Sequence, residues 1–212
     1  MIRLPNKTIE RRLIAQGIEY IIGIDEVGMA CLAGPVTACA IAIHRDFYKK
    51  RDPSFSWLRD SKTLTPAKRE EFAAKLSMNP HIRYFISSED NLSIDRHNIF
   101  RASQRAMRNA LKQLNIPAKK AHILIDGNKN LAGVAYNQDA IVKGDRHIFS
   151  IAAASILAKV HRDELMTRLS SIYPEYGLSI HKGYPTLRHR EALLRHGPCT
   201  IHRRSFLTKI LK

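Results

Sequence analysis

Ile22-Gly23-Ile24-Asp25-Glu26-Val27-Gly28 places two adjacent acids at the polar end of a short apolar run. The string Ile123-Leu124-Ile125-Asp126-Gly127-Asn128 repeats this pattern further along the chain, and Asp145 closes a third stretch, Val142-Lys143-Gly144-Asp145. Carboxylates at the edge of a core cost free energy unless a positive group lies between them. A divalent cation is the simplest such group, so we expect these acids to meet around a metal.

The remainder of the chain is strongly basic. Its 212 residues contain 35 Lys and Arg against 19 Asp and Glu, which gives a formal net charge of +16. This charge indicates a polyanionic partner, and nucleic acid is the leading candidate. An anionic membrane surface would also attract it, but the sequence contains no apolar run of about 18 residues that would span a bilayer. Acids that hold a metal within a basic chain predict a metal-dependent nuclease.

The N-terminus and the cysteines bear on the compartment. Residues 1–17 are charged and lack the apolar centre of a signal peptide. The three cysteines, Cys31, Cys39 and Cys199, are odd in number and lack the Cys-x-x-Cys spacing of a zinc site, which predicts reduced thiols. We therefore expect a cytoplasmic protein that does not bind membranes.

Hydrophobic periodicity alternates between strand and helix along the chain, and it predicts an α/β fold. We expect strands at residues 20–25, 36–43, 82–86, 122–125 and 140–142. We expect helices at residues 9–14, 66–77, 94–114 and 148–169, with Thr65 as the N-cap of the second. Residues 94–114 are predicted to form one long amphipathic helix with a cationic outer face.

A series of short strings carries a resemblance to a known family. They are 23–28, 32–36, 60–62, 125–128, 143–145, 150–156, 159–160, 162–163, 176–177, 181–184 and 202–206. In this order they resemble ribonuclease HII, the type 2 branch of the ribonuclease H family. The resemblance implies a ribonuclease H-like mixed β-sheet flanked by helices, followed by a mainly helical C-terminal region. It also implies hydrolysis of the RNA strand of RNA/DNA hybrids and cutting 5′ of ribonucleotides embedded in duplex DNA, leaving 5′-phosphate and 3′-hydroxyl ends.

The domain organisation follows from the same resemblance. After Tyr173 the sequence is rich in Pro, Gly, Tyr, His and basic residues. We expect a catalytic domain at residues 1–172 and a basic C-terminal subdomain at 173–212 that completes the substrate-binding site. The expected partners are RNA/DNA hybrid and ribonucleotide-containing duplex DNA, and the protein is expected to be a monomer. The basic residues around Arg203 and Arg204 either hold duplex backbone or pack the C-terminal tail onto the body.

The resemblance implies that the catalytic residues and metal ligands are Asp25, Glu26, Asp126 and Asp145. Mg²⁺ or Mn²⁺ suits a site of about four carboxylates, and two such ions about 3.5 to 4 Å apart would activate a water and stabilise the leaving oxygen. Adjacent strand residues point to opposite faces, so Glu26 is expected where the strand ends or twists. Taken singly, Asp126-Gly127 also fits an ordinary turn and Asp145 a helix-entry loop.

Other polar residues in the matched strings divide into structural and substrate-binding candidates. Asp60 is expected to orient its loop, and Asp163 to form an ion pair or to be a surface charge. Lys62 and Lys143 are candidates for phosphate contacts, although loop lysines are more often solvated. Tyr184 is the candidate for recognition, because its ring can stack on a sugar or base while its hydroxyl reaches a 2′-OH, as the matching family tyrosine does. On pattern alone, a half-buried core tyrosine fits Tyr184 as well.

The chain departs from the family at Gly28-Met29-Ala30, where the usual string is Gly-Arg-Gly. In the family the main chain of this string helps to read the 2′-OH, so these three residues are also substrate-binding candidates. Met29 supplies no cation, and Ala30 adds a Cβ where a close approach or a positive φ is expected. Three alternatives therefore stay open: a ribonuclease H with reduced single-ribonucleotide specificity, a catalytically weakened hybrid-binding protein on the same fold, and a resolvase-like nuclease on a related fold.

Overall fold

A five-stranded mixed sheet forms the centre of the computed structural model, which describes residues 4–49 and 52–211. The strands are β1 Tyr20–Val27, β2 Val36–His44, β3 Ile82–Glu89, β4 Ala121–Asp126 and β5 Asn137–Ile141. Their order is β3-β2-β1-β4-β5. β2 runs antiparallel to both of its neighbours, whereas β4 runs parallel to both of its own. The predicted α/β class with a mixed sheet is confirmed.

Helices cover the sheet and make up most of the C-terminal region. They are α1 Thr8–Ala15, α2 Pro66–Met78, α3 Asn91–His97, α4 Ile99–Leu114, α5 Phe149–Ile172, α6 Leu178–His181, α7 Leu187–His196 and α8 Arg204–Leu207. Thr65 caps α2 as predicted, because its side chain accepts a hydrogen bond from the N–H of Lys68. No helix in the described part of the chain is long and apolar enough to cross a membrane.

The prediction of one helix over residues 94–114 is wrong. Asn98 has a φ of 67° and separates α3 from α4. Its side chain accepts a hydrogen bond from the N–H of Arg101 at 3.0 Å, so Asn98 also caps the second helix. Asparagine tolerates positive φ and favours the N-cap position, which is a local signal that the continuing apolar spacing concealed.

The two faces of the sheet pack on different helices. On one face, Ile22 and Ile24 of β1 contact the apolar side of α4 at Met107 and Leu111. On the other face, the neighbouring residue Ile21 packs against α5 and α2. Gly23 lies on this second face, where an added Cβ would come within 2.2 Å of the carbonyl oxygen of Ser150. Glycine is therefore required for the start of α5 to approach β1 so closely.

The C-terminal residues pack on the body through a further apolar cluster. Leu32 and Ala33, which follow β1, join Met166 of α5 and the C-terminal residues Tyr176 and Leu193 in this cluster. The loop after β1 is thereby covered by the C-terminal helices. The expected boundary at residue 172 coincides with the end of α5, and the division into two units stays a prediction.

Candidate functional site

Sheet topology brings three of the acids to one edge. β1 and β4 are parallel, and Ile24 lies opposite Ile125. Asp25 and Asp126, the next residue on each strand, therefore lie side by side at the same end of the sheet. Asp145 lies in the short turn after β5, which neighbours β4. The N–H of Gly144 in that turn donates to Oδ1 of Asp126 at 2.7 Å. The sequence separation between these acids is therefore closed by parallel strand pairing and a single turn.

Glu26 reaches the same edge from within the strand. β1 continues one residue beyond it, to Val27, so Glu26 is next to the strand end and Gly28 follows with a φ of +94°. The N–H of Glu26 donates to Oδ1 of Asp25 at 2.8 Å. Its own Oε2 is buried and has no hydrogen-bond partner in the described part of the chain. An unpartnered carboxylate oxygen of this kind costs free energy until a donor or a cation reaches it.

The acids raise one another's pKa values. Burial, and then the charges of Glu26 and Asp126, raise the pKa of Asp25 well above its usual range. Burial together with the charge of Asp126 raises the pKa of Glu26 to about 7. The pKa of Asp126 is raised by burial and by Asp145. Asp25, Glu26 and Asp126 therefore share one electrostatic environment that disfavours their charged forms and favours an added positive charge.

Lys62 supplies one positive charge at this edge. Its exposed Nζ lies 3.1 Å from Oδ2 of Asp145. Burial opposes the charged form, but Asp145 together with Asp25 and Asp60 outweighs it, so the pKa of Lys62 is raised. Asp60 orients the loop, as expected, by accepting from the N–H of Lys62 and pairing with Arg146. Lys62 is therefore held beside the acids.

Lys143 lies near the acids without a comparable contact. It is exposed, has a φ of 58° and precedes the short turn Gly144–Arg146. Its neighbour Gly144 binds Asp126 through the main chain. The structure therefore brings Lys143 to the rim of the site, while its role as a phosphate contact stays a prediction.

The donor chemistry of the acids fits Mg²⁺ or Mn²⁺, which prefer oxygen ligands. The buried, unpartnered Oε2 of Glu26 is a free oxygen for such an ion. A different set, His44, Asp46 and His81, brings three ligand atoms within 4.8 Å of one another, but it lies at the opposite end of β2. No three of the acids are gathered that tightly among the described residues, which agrees with their mutual repulsion.

The Gly28-Met29-Ala30 loop adjoins this edge, and the positive φ in it falls on Gly28. Ala30 is not among the non-glycine residues with positive φ in the described ranges, so the expectation of a positive φ there is wrong, and the expectation of a close approach at its Cβ stays a prediction. Ala30 is exposed and Met29 is half-buried. A Cβ on Gly28 would lie 2.5 Å from Nε of Arg162, so at this position the glycine is required.

Arg162 was not predicted as a site residue, yet it organises this loop. It is fully buried on α5 and has no carboxylate within ion-pair distance in the described residues. Its guanidinium donates to the carbonyl oxygens of Pro35, Ala33 and Lys182 at 2.9, 3.1 and 2.8 Å. In the sequence Arg162 is one of two arginines of α5 and stands between His161 and Asp163, so no local pattern marked it as buried.

Arg203 performs the same task from the C-terminal side. It is fully buried and donates to the carbonyl oxygens of Gly34 and Met29 at 2.9 and 3.2 Å. Burial lowers its pKa to about 10, so it remains charged at neutral pH. Of the two readings left open for this residue, packing of the tail onto the body is confirmed for Arg203. Arg204, by contrast, is exposed.

Tyr184 follows α6 at the edge of a cleft of about 840 Å³ that lies between α2, α5 and α6. Its ring is half-buried, and Nζ of Lys159 lies 5.5 Å from the ring centroid. Asp163 forms ion pairs with Lys159 and Arg69, as expected. Part of the Tyr184 ring therefore faces a cleft that also presents cationic side chains.

Comparisons with known proteins agree with this arrangement. A family model described as Ribonuclease HII matches residues 22–209. A Ribonuclease HII of Moorella thermoacetica is 47% identical over 197 residues, covering 93% of this chain and 91% of that protein. A Ribonuclease HII of Caldicellulosiruptor bescii is 45% identical over 203 residues, covering 96% and 94%. The crystal structure of ribonuclease H2 from Pyrococcus horikoshii OT3 superposes with a TM-score of 0.71 at 27% identity, covering 91% of this chain and 97% of that one.

Proposed function

The chain belongs to the ribonuclease HII family, and from this membership and the geometry of its acids we propose a two-metal nuclease site at the end of β1. The protein is a metal-dependent ribonuclease H, a hydrolase that acts on RNA/DNA hybrids. The proposed metal ligands are Asp25, Glu26, Asp126 and Asp145. The observation that carries this assignment is that buried acids at one sheet edge raise one another's pKa values while Glu26 Oε2 has no partner among the residues that the structure describes.

Mg²⁺ or Mn²⁺ bound there would supply an activated water and would neutralise charge on the leaving oxygen. The chain itself contributes the positions of the ligands. The N–H of Gly144 holds Oδ1 of Asp126, and the N–H of Glu26 holds Oδ1 of Asp25. Lys62 lies against Asp145 and lowers the cost of bringing a phosphate to this acidic edge. The products we propose are a 5′-phosphate and a 3′-hydroxyl end.

We further propose that ribonucleotides embedded in duplex DNA are substrates. Tyr184 would contact the sugar that carries the 2′-OH, and the main chain of Gly28-Met29-Ala30 would approach it from the other side. Lys62 and Lys143 would contact phosphates beside the acids. The buried hydrogen bonds of Arg162 and Arg203 support this reading, because they fix the loop by its carbonyl oxygens and leave its shape independent of the residue at position 29.

The C-terminal residues 173–212 would thereby complete the substrate-binding site of a catalytic unit formed by residues 1–172. We propose that the protein acts as a monomer in the cytoplasm. Its cysteines are free thiols, as a reducing compartment requires.

The test is cleavage of labelled duplexes that carry either one ribonucleotide or four consecutive ribonucleotides, each with Mg²⁺ and with Mn²⁺. The wild-type protein should cut 5′ of the single ribonucleotide. Asp126→Asn keeps the oxygen that Gly144 binds and removes one charge, so the rate should fall on the order of 1000-fold. The matched control is Asp139→Asn, which changes an exposed acid on the neighbouring strand β5 and should cut normally.

Each result decides one part of the proposal. Cleavage of both duplexes by Asp126→Asn at the wild-type rate would overturn the metal site. Cleavage of the four-ribonucleotide duplex alone by the wild-type protein would leave the metal site intact and overturn the reading of single ribonucleotides by Tyr184 and the Gly28-Met29-Ala30 loop.

A further inference from the structure

A group of buried histidines lies beside the Tyr184 segment, and one of them, His181, also lines the cleft. His189 and His202 are at most 1% exposed, and His181 is 8% exposed. The rings of His181 and His189 stack with centroids 4.4 Å apart and an angle of 18°. The ring of Tyr176 covers His202 at 4.7 Å. None of these imidazoles has a carboxylate partner among the described residues.

Hydrogen-bond geometry allows the proton positions of this group to be assigned. The N–H of Cys199 donates to Nδ1 of His202 at 3.1 Å, so Nδ1 is the acceptor and the ring carries its proton on Nε2. His202 Nε2 lies 3.0 Å from Nε2 of His189, which must then accept. His189 carries its proton on Nδ1, and this nitrogen lies 3.0 Å from the carbonyl oxygen of Tyr184. The bonds therefore run in one direction, from Cys199 through two neutral imidazoles to Tyr184.

The reverse direction is disfavoured by the same contacts. A proton on Nε2 of His189 would leave Nδ1 facing the carbonyl oxygen of Tyr184 as two opposed acceptors. A proton on both nitrogens of His202 would oppose the N–H of Cys199. Burial disfavours charge on either ring and lowers the pKa of each to about 4. One arrangement of protons thus satisfies every nitrogen of the pair.

The chain of bonds ends in the segment that bears the proposed recognition residue, and its neighbours join that segment to the loop after β1. His181 accepts from the N–H of Gly183 through Nδ1 and lies with Nε2 2.7 Å from the carbonyl oxygen of Tyr176. The N–H of Leu32 donates to the carbonyl oxygen of Gly183 at 2.8 Å. The N–H of Gly34 donates to the carbonyl oxygen of Ile201, the residue immediately before His202. The Tyr184 segment, the loop after β1 and residues 199–203 therefore form one hydrogen-bonded unit.

We propose that His189 and His202 are positioning residues whose directed hydrogen bonds fix the main chain of Tyr184 relative to the Gly28-Met29-Ala30 loop. This inference rests on the proposed role of Tyr184 in reading the ribonucleotide. The specificity of the enzyme for a single ribonucleotide then depends on two imidazoles that touch neither substrate nor metal. The neutral ring of His189 binds the carbonyl oxygen of Tyr184, so the pair sets the position and orientation of the tyrosine ring relative to the loop.

Two substitutions at His189 separate its hydrogen bond to Tyr184 from its hydrogen bond to His202. His189→Asn keeps a side-chain N–H near the position of Nδ1 and retains the bond to Tyr184. His189→Gln places its amide near the position of Nε2, so it retains the contact with His202 and loses the bond to Tyr184. Both are neutral and similar in polarity, so each serves as the control for the other.

The measurement is the ratio of cleavage of the one-ribonucleotide duplex to that of the four-ribonucleotide duplex. This ratio should stay within about threefold of wild type for His189→Asn and should fall about tenfold for His189→Gln. Equal ratios for the two variants would overturn the proposal, as would a loss of the ratio in His189→Asn alone. A wild-type protein that cuts neither duplex would instead count against the metal site.

Nitrogen-15 chemical shifts of the imidazoles in the wild-type protein test the arrangement without any substitution or substrate. At pH 7 we expect His189 as the Nδ1–H tautomer and His202 as the Nε2–H tautomer, both neutral. The opposite tautomer of either ring, or a protonated ring, would overturn the directed chain whatever the variants do in cleavage assays.

Discussion

The acidic edge at the ends of β1 and β4 and the arginine-bound loop after β1 are neighbours with opposite designs. At the acidic edge, like charges are buried together, the pKa values of Asp25 and Glu26 are raised, and Glu26 Oε2 has no partner within residues 4–49 and 52–211. At the loop, Arg162 and Arg203 are just as buried, and three and two main-chain carbonyls accept their hydrogen bonds, although Nη2 of Arg203 has no partner among the described residues. The first region gains by taking up a cation, whereas the second already contains its cations.

The acidic edge is therefore suited to binding a metal, and the arginine-bound loop to holding its backbone in place. Buried carboxylates that repel one another store a cost that a bound metal relieves, so their arrangement serves an ion that the chain does not supply. Buried guanidiniums that bind carbonyls fix backbone, because each donor has one geometry in which it is satisfied. Substitutions in the two regions should therefore affect different measurements, and the following predictions test this in order of decreasing effect.

The largest effect is expected at the acidic edge. Asp25→Asn should lower metal-dependent cleavage on the order of 1000-fold, because a proposed ligand loses its charge. The same substitution removes repulsion from Glu26 and Asp126, so in EDTA the melting temperature should rise by about 3 °C. Cleavage assays and thermal melts on the same preparation check both results. A lower melting temperature in EDTA would show that the acids stabilise one another, contrary to the comparison.

Arg203→Met should have the converse effect and destabilise the protein by about 3 kcal/mol, since it leaves two buried carbonyls without their donor. Urea unfolding measures this loss. The control is Arg204→Met, which changes the exposed neighbour and should alter stability by no more than about 0.5 kcal/mol. Equal stabilities of the two variants would remove the structural role that we assign to the buried arginine.

The histidines near the loop predict a pH dependence of stability. Burial lowers the pKa of His189 and His202 from 6.5 to about 4, with His181 stacked on His189 and Arg188 adding positive charge nearby. Between these pH values the unfolded chain binds protons that the folded chain does not, so this contribution is complete above pH 6.5 and is lost as pH falls toward 4. Denaturant titrations at several pH values measure the free energy of unfolding of wild type and of His189→Asn. Between pH 4 and 6.5 this free energy should change less steeply with pH in the variant. Identical slopes would contradict the neutral buried pair.

The smallest effect is expected at position 29. Met29→Arg restores the cation of the usual family string on a loop whose backbone Arg203 already holds. We expect hybrid binding to tighten about threefold at low salt, and the slope of log affinity against log salt to steepen by about 1. Filter binding over a salt series, with Met29→Gln as the uncharged control, measures this. A large gain in the single-ribonucleotide ratio would show that the arginine shapes the loop as well as charging it.

Strand and helix positions were largely predictable because the apolar spacing of buried elements is a local property. All five strands were found, and each differed from the prediction at one or both ends by one to three residues. The split between α3 and α4 was missed because Asn98 interrupts the backbone without interrupting the apolar pattern. Asp25 and Asp126 meet at the acidic edge because β4 lies parallel beside β1. The spacing of residues along the chain does not reveal this pairing of strands.

Acids at strand ends indicated a metal site, because an acid following an apolar run is costly wherever the chain folds, and the net charge of +16 indicated a nucleic-acid substrate. Tertiary structure decided which buried charges meet hydrogen-bond acceptors. Arg162 and Arg203 look like surface cations in a chain of net charge +16, and only packing places them against carbonyl oxygens of the loop after β1. The protons of His189 and His202 are likewise set by groups far apart in sequence, since a hydrogen bond depends on distance in space and direction, which the chain alone does not encode locally.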